Sequence, residues 1–220
     1  MSSSPAISNK EHFSYQDDIY LTAPGSASWF SRPFPTINFY RKFSWNVCRS
    51  SLIARRGKYD NREWSRTSFE VQKALESVGV RTEINGIEHI RQLDSPCVFV
   101  ANHMSMLETM VLPAIIQPIR DVTFVVKKSL MEYPFFRHVV RARDPIAVSR
   151  ENPREDFKTV MQSGMERLQN GSSIVVFPQT TRSLTFDPGQ FNTIGLKLAL
   201  RAKVPMVPIA LKTDAWGNGK

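Results

Sequence analysis

Residues 97–108, C-V-F-V-A-N-H-M-S-M-L-E, decide how the chain is read. The stretch opens with small and β-branched residues suited to a buried strand, halts at Asn102-His103, and turns directly into an amphipathic helix. His103 therefore falls at a strand-to-helix corner, where a general base gains a fixed backbone and an open approach. Glu108, five positions on, is within reach of the imidazole, and a carboxylate there fixes the tautomer. A second reading competes with this one. Ser105-x-x-Glu108 is also a capping box, in which the glutamate bonds back to the helix cap and needs no histidine.

Upstream of the corner, residues 81–84 alternate like a strand, Asn85-Gly86 is a hairpin-type turn, and residues 87–93 lead into the central strand. Downstream, the corner helix spans about residues 105–116, kinked or shortened by Pro113. Strands follow at 122–126 and 145–148, then a helix opened by Asn152-Pro153 and stopped by Asn170-Gly171. A strand at 174–177, a polar loop at 178–189, a helix at 191–201 and a strand at 206–211 complete the pattern. Strands alternating with helices imply an α/β fold, a mixed central sheet flanked by helices with ligands at the strand ends.

The first 26 residues are polar, rich in Ser, Asp and Pro, and aperiodic, which reads as a mobile tail. Residues 27–80 read as a helical element. Between 27 and 66, Trp29, Phe30, Phe34, Phe39, Tyr40, Phe43, Trp45 and Trp64 are interleaved with Arg and Lys. With Thr36 as cap, Tyr40, Phe43, Val47 and Ala54 share one helix face and Lys42, Arg49 and Arg56 the opposite one. Such a helix suits a membrane interface, apolar face down and cations among anionic headgroups. It equally suits a helix packed on the rest of the domain with solvated charges outside. A second helix fits residues 64–78 and ends near Gly79.

Composition limits the partners. With 220 residues the chain can bury a sizeable core, and 29 Lys and Arg against 20 Asp and Glu point to a polyanion: a nucleic acid, an anionic membrane surface or a phosphorylated substrate. No nucleic-acid-binding module accompanies the aromatics. Cys48 and Cys97 lack metal-type spacing and read as free thiols. No zincin-type histidine pair is present, so no metal site is expected. The opening ten residues show no charged-then-apolar leader, and no apolar run nears the ~18 residues that span a bilayer. The end at Lys220, soon after the last strand, is abrupt, and the sequence leaves open whether the protein stops there naturally.

Three loops follow apolar strands and bear polar or cationic groups: Asn102-His103 through Glu108, the region from Lys127 to Arg150, and Gln179-Thr180-Thr181-Arg182. Converging on one sheet edge, they would set one base among several cations, which suits deprotonating a hydroxyl on a phosphate-anchored substrate. Arg150 and Arg182 could instead be surface residues paired with Asp144, Glu151 or Asp187, since a charge near a turn is usually solvated.

These residues carry a resemblance. V-F-V-A-N-H-M-S-M-L-E is similar to the first block, N-H-x-x-x-x-D, of the glycerophospholipid acyltransferases, the 1-acylglycerol-3-phosphate acyltransferase family. K-K-S-L-M-E-Y-P-F-F, P-I-A-V-S-R, F-P-Q-T-T-R-S and V-P-M-V-P-I-A resemble the segments that follow, in the same order, over residues 86–211. The resemblance implies an α/β acyltransferase domain over 81–220 and a membrane-docking helical element before it. It implies a protein peripheral on the cytoplasmic face of a membrane that acylates a lysophospholipid from acyl-CoA or acyl-carrier protein, without a cofactor. His103 would be the base and Glu108 its orienting carboxylate. Asn102, Lys127, Arg150, Gln179, Thr180, Thr181 and Arg182 would bind substrate. Glu108 stands where the family has aspartate, Gln179 and Thr180 where it has glutamate and glycine, and Asn192 where it has lysine. Those departures leave a second function class open, a non-catalytic lipid-binding or anionic-surface-binding protein of the same fold.

Overall fold

The computed structural model describes residues 12–29, 33–179, 181–213 and 215. In chain order its elements are β1 (Tyr20–Leu21), α1 (Pro35–Arg55), α2 (Asn61–Ser77), β2 (Glu83–Ile84), α3 (Ile87–Arg91), β3 (Val98–Ala101) and α4 (Leu107–Ile116). Then come β4 (Val122–Lys127), a 3-10 turn (Lys128–Met131), α5 (Phe136–Ala142), β5 (Ile146–Val148), α6 (Pro153–Gln169), β6 (Ser173–Val176), α7 (Ile194–Ala202) and β7 (Met206–Ile209).

The main sheet has the order β5-β4-β6-β3-β7, and every neighbouring pair is parallel. The sheet is thus parallel rather than mixed. Each connection between its successive strands contains a helix, which brings the chain back to the same end before the next strand begins. All its strand C-termini, and the loops that follow them, therefore share one edge.

Helices cover both faces, so the central strands are apolar on both sides. Phe99 and Val175 pack on one face with Trp64, Leu112, Ile116 and Phe124. Val98, Ile174 and Val176 pack on the other with Val160, Leu168 and Leu198. A Cβ on Gly195 would lie 2.8 Å from Val100 Cγ2, so glycine there lets α7 approach β3 closely. On the outer strand β7, Val207 and Ile209 lie opposite Phe99 and Ala101. Pro208 has no N–H to offer along the open edge, which blunts it against further pairing.

The N-terminal third departs from expectation in three ways. Residues 12–26 form part of the folded body rather than a mobile tail: Phe13 and Tyr20 are buried against Phe69, and β1 pairs antiparallel with β2. The Tyr20 hydroxyl donates to the buried Glu76 carboxylate, a long-range contact that sequence pattern does not register. The remaining tail residues, 1–11, lie outside the described residues, as does Phe30.

The Asn85-Gly86 turn does not close a hairpin. Gly86 takes a left-handed φ of 78° and starts α3, which occupies the stretch expected to run on towards the central strand.

Helix α1 begins at Pro35, with Phe34 rather than Thr36 at its cap position. Its expected apolar face turns inward: Phe43 is buried, and Val47 and Ala54 pack against the core. The expected cationic face is bonded to α2, Lys42 Nζ donating to Ser77 Oγ at 2.6 Å and Arg49 pairing with Glu70. Helix α2 starts at Asn61 because Asp60 caps it, accepting from Glu63 N at 2.8 Å. Residues from α1 and α2 share one core with α4, so they are part of the same folded body as the sheet.

Candidate active site

The corner between β3 and α4 is fixed from three directions. The Asn102 side chain exchanges two hydrogen bonds with the Leu211 backbone, donating to its carbonyl at 2.8 Å and accepting from its amide at 2.7 Å. The Gln179 side-chain oxygen accepts from His103 N, and Ser183 N donates to His103 O at 2.9 Å. Asn102 and Gln179, expected among the substrate ligands, hold the corner in this structure. Both are short polar side chains placed where two strand ends must be tied together, and Gln179 is buried.

His103 Nδ1 lies 2.9 Å from Glu108 Oε1, and the imidazole stacks on Phe177 with ring centroids 4.3 Å apart. An ionised carboxylate can only accept, so Nδ1 carries the proton and Nε2 keeps its lone pair. The orienting and capping readings of Glu108 hold together. Oε1 also accepts from Met104 N at 2.6 Å and from Ser105 N at 2.8 Å, while Ser105 Oγ accepts from Leu107 N at 3.0 Å. Oε2 accepts from Ser105 Oγ at 2.9 Å and Thr213 Oγ1 at 2.8 Å. Burial on its own would push the Glu108 carboxyl up, but these donors outweigh it and hold it at about 2. The carboxylate therefore stays ionised at neutral pH although it is almost fully buried.

The expected cations sit on the same edge, spread across the sheet. Arg150 follows β5, Lys127 ends β4 and Arg182 lies beyond β6; all three are exposed. Arg150 takes a left-handed φ of 64°, and its amide donates to Asp156 in the first turn of α6, fixing the loop. With strands ~4.8 Å apart, β6 is one step from the strand of His103 and β5 three steps, roughly 14 Å. Arg182 is thus the closest of these three cations to His103 by topology, and its neighbour Ser183 touches the corner directly. Thr181 is exposed on the same loop, and Thr180 lies outside the described residues.

Sequence reading passed over two residues of this site. Phe177 is the first letter of the quoted F-P-Q-T-T-R-S block, and its position there was the available signal. Thr213 lies 105 positions from Glu108 and carries no local pattern. Among the described residues, no serine or cysteine is hydrogen-bonded to the imidazole.

A parallel α/β domain with a histidine–carboxylate pair and cations along one strand edge is an arrangement that can take a proton from a bound, anionic substrate. The family model described as Acyltransferase matches residues 81–212, and the chain belongs to that family. It is 32% identical over 147 residues to the 1-acyl-sn-glycerol-3-phosphate acyltransferase of Pseudomonas aeruginosa, covering 67% of this chain and 54% of that protein. It is 28% identical over 181 residues to the enzyme of the same name from Saccharomyces cerevisiae, covering 78% and 56%. The chain thus spans about half the length of these curated relatives. Its fold matches the crystal structure of the 1-acyl-sn-glycerophosphate (LPA) acyltransferase PlsC from Thermotoga maritima, with a TM-score of 0.53 and 21% identity over 80% of this chain and 72% of that one.

Proposed function

We propose that this protein is a membrane-peripheral acyltransferase that moves a fatty acyl chain from acyl-CoA or acyl-carrier protein to a hydroxyl of a lysophospholipid, with His103 as general base. The observation that carries this reading is the ionised Glu108 held on His103 Nδ1, which leaves Nε2 free to accept a proton. In the reaction, the acceptor hydroxyl attacks the thioester carbonyl carbon while Nε2 takes its proton. The tetrahedral intermediate then collapses, the C–S bond breaks, and the imidazolium returns the proton to the departing thiolate. Glu108 stabilises the transient imidazolium. Arg182 binds the acceptor phosphate by its planar fork, with Lys127 and Arg150 adding to the field. The relatives' names, which specify 1-acyl-sn-glycerol-3-phosphate, support a phosphorylated acceptor.

The test is turnover in mixed micelles with a panel of lysophospholipids and both donor classes. A 1-acylglycerol 3-phosphate acceptor is expected to react fastest. Equal rates with neutral lysolipids would remove the phosphate assignment, and no turnover with any pair by folded protein would favour the lipid-binding reading.

Membrane docking belongs to the outer face of α1. Phe34, Ile37, Trp45 and Leu52 are exposed there, Ile37 at 68% and Trp45 at 72%, with Arg41 and Arg55 alongside. Exposed apolar side chains flanked by arginines match a headgroup interface. Among the described residues no helix is long and apolar enough to cross a membrane. Because α1 and α2 belong to the core, deletion would unfold the body, so point charges are the sharper probe. Ile37→Glu with Trp45→Glu is expected to weaken binding to anionic liposomes about tenfold or more in flotation, leaving the melting temperature unchanged. Undiminished flotation would exclude this face.

A further inference from the structure

The donors on Glu108 are unevenly distributed. Oε1 is held by Met104 N, Ser105 N and His103 Nδ1, and Oε2 by Ser105 Oγ and Thr213 Oγ1. Four of these five belong to residues 103–105, the loop that itself needs positioning. Thr213 alone comes from elsewhere, from the segment after β7, 105 residues downstream. That segment is pinned two residues earlier, where Leu211 exchanges both backbone bonds with Asn102. Thr213 is itself buried, and 3.1 Å separates its hydroxyl from that of Ser105.

The terminal torsion of a glutamate is broad and about two-fold, and the other donor to Oε2, Ser105 Oγ, moves with the corner loop, so Thr213 is the contact that ties the carboxylate plane to the sheet. We propose that Thr213 is a positioning residue for the His103–Glu108 pair: its hydroxyl fixes the carboxylate plane of Glu108 against the sheet and is what makes a glutamate effective at this position. The proposal rests on His103 acting as the base. An aspartate at 108 would retract the carboxylate by about 1.5 Å, one C–C bond. The 2.8 Å contact to Thr213 would then pass beyond hydrogen-bond range if the amides of the corner were kept. Aspartate should therefore be the worse residue here, and Thr213 should matter only while Glu108 is present.

A double-mutant cycle on acyl transfer tests this. Thr213→Val is expected to lower kcat about tenfold with KM within about twofold, since it removes one donor to a charged group. Thr213→Ser should restore most of the rate. Glu108→Asp should also lower kcat, and adding Thr213→Val to it should cost less than about twofold more. Multiplicative losses, a Thr213→Val enzyme as fast as wild type, or a loss that only tracks the folded fraction by thermal melting would each overturn the proposal. If Thr213→Val fails to fold, Thr213→Ala in both backgrounds supplies the same comparison. His103→Ala separates the two levels: activity surviving it refutes the base itself, whereas an inert His103→Ala beside a fully active Thr213→Val refutes only the role of Thr213.

Discussion

His103→Ala is expected to lower kcat for acyl transfer about a thousandfold, within the range that a positioned general base contributes, while leaving liposome binding as it was. The separation follows from the layout. His103 sits at the strand edge, half-buried against Phe177, whereas the residues proposed to meet the membrane lie on the outer face of α1. The backbone of position 103 remains tied to Gln179 and Ser183 whatever its side chain, so the corner should survive the change. The measurement is steady-state turnover beside flotation for the same preparation. Retention of more than about a tenth of wild-type turnover would rule out the base mechanism.

Glu108→Gln is expected to lower kcat about a hundredfold with little loss of fold. The amide oxygen can still accept from the amides of Met104 and Ser105 and from Nδ1, and its NH2 can donate to the hydroxyls of Ser105 and Thr213. Tautomer and geometry are thus kept, and the variant isolates the charge that stabilises the imidazolium. The wild-type carboxyl stays ionised down to about pH 2, so it adds no ionisation of its own to the rate profile. An acid limb of the log kcat/KM profile with a slope of two would mean that the carboxylate titrates there after all. The sign for stability is fixed too. A depressed carboxyl contributes stability above its ordinary range, and that contribution fades as pH falls from about 4.5 towards 2, a dependence that Glu108→Gln should abolish.

How much of this was legible in the sequence depended on the range of the interaction. Apart from α5, which the sequence reading did not anticipate, the strands and helices from residue 98 onward were readable because each carries a local pattern: apolar runs for parallel strands, Asn152-Pro153 at a helix start, Asn170-Gly171 at its end. His103 and Glu108 were readable because they lie five positions apart on one turn. Asn102 and Gln179 were recognised as special, yet their task is to bridge strand ends, and position along the chain does not distinguish a ligand from a brace. Helix α1 was found, and its apolar face packs on the core as one of the two readings had it; what polarity could not show is that the buried face also takes in Asn46 and Ser50. The folded arm at residues 12–26 depends on Tyr20 meeting Glu76, a pairing across 56 positions that no window covers.

The strand that leads into His103 pairs with β6 and β7, both of which follow it by about 70 residues or more in the chain. The groups that steady its corner arrive 76 to 109 residues after it: Gln179, Leu211, Thr213. On a ribosome adding about 5 to 20 residues per second, the histidine and its carboxylate would emerge several seconds before anything holds them in register. The geometry of the His103–Glu108 pair is therefore a late product of maturation. A nascent chain exposing the two residues would hold them in composition but not in arrangement, and the arrangement would arrive only with the docking of β7.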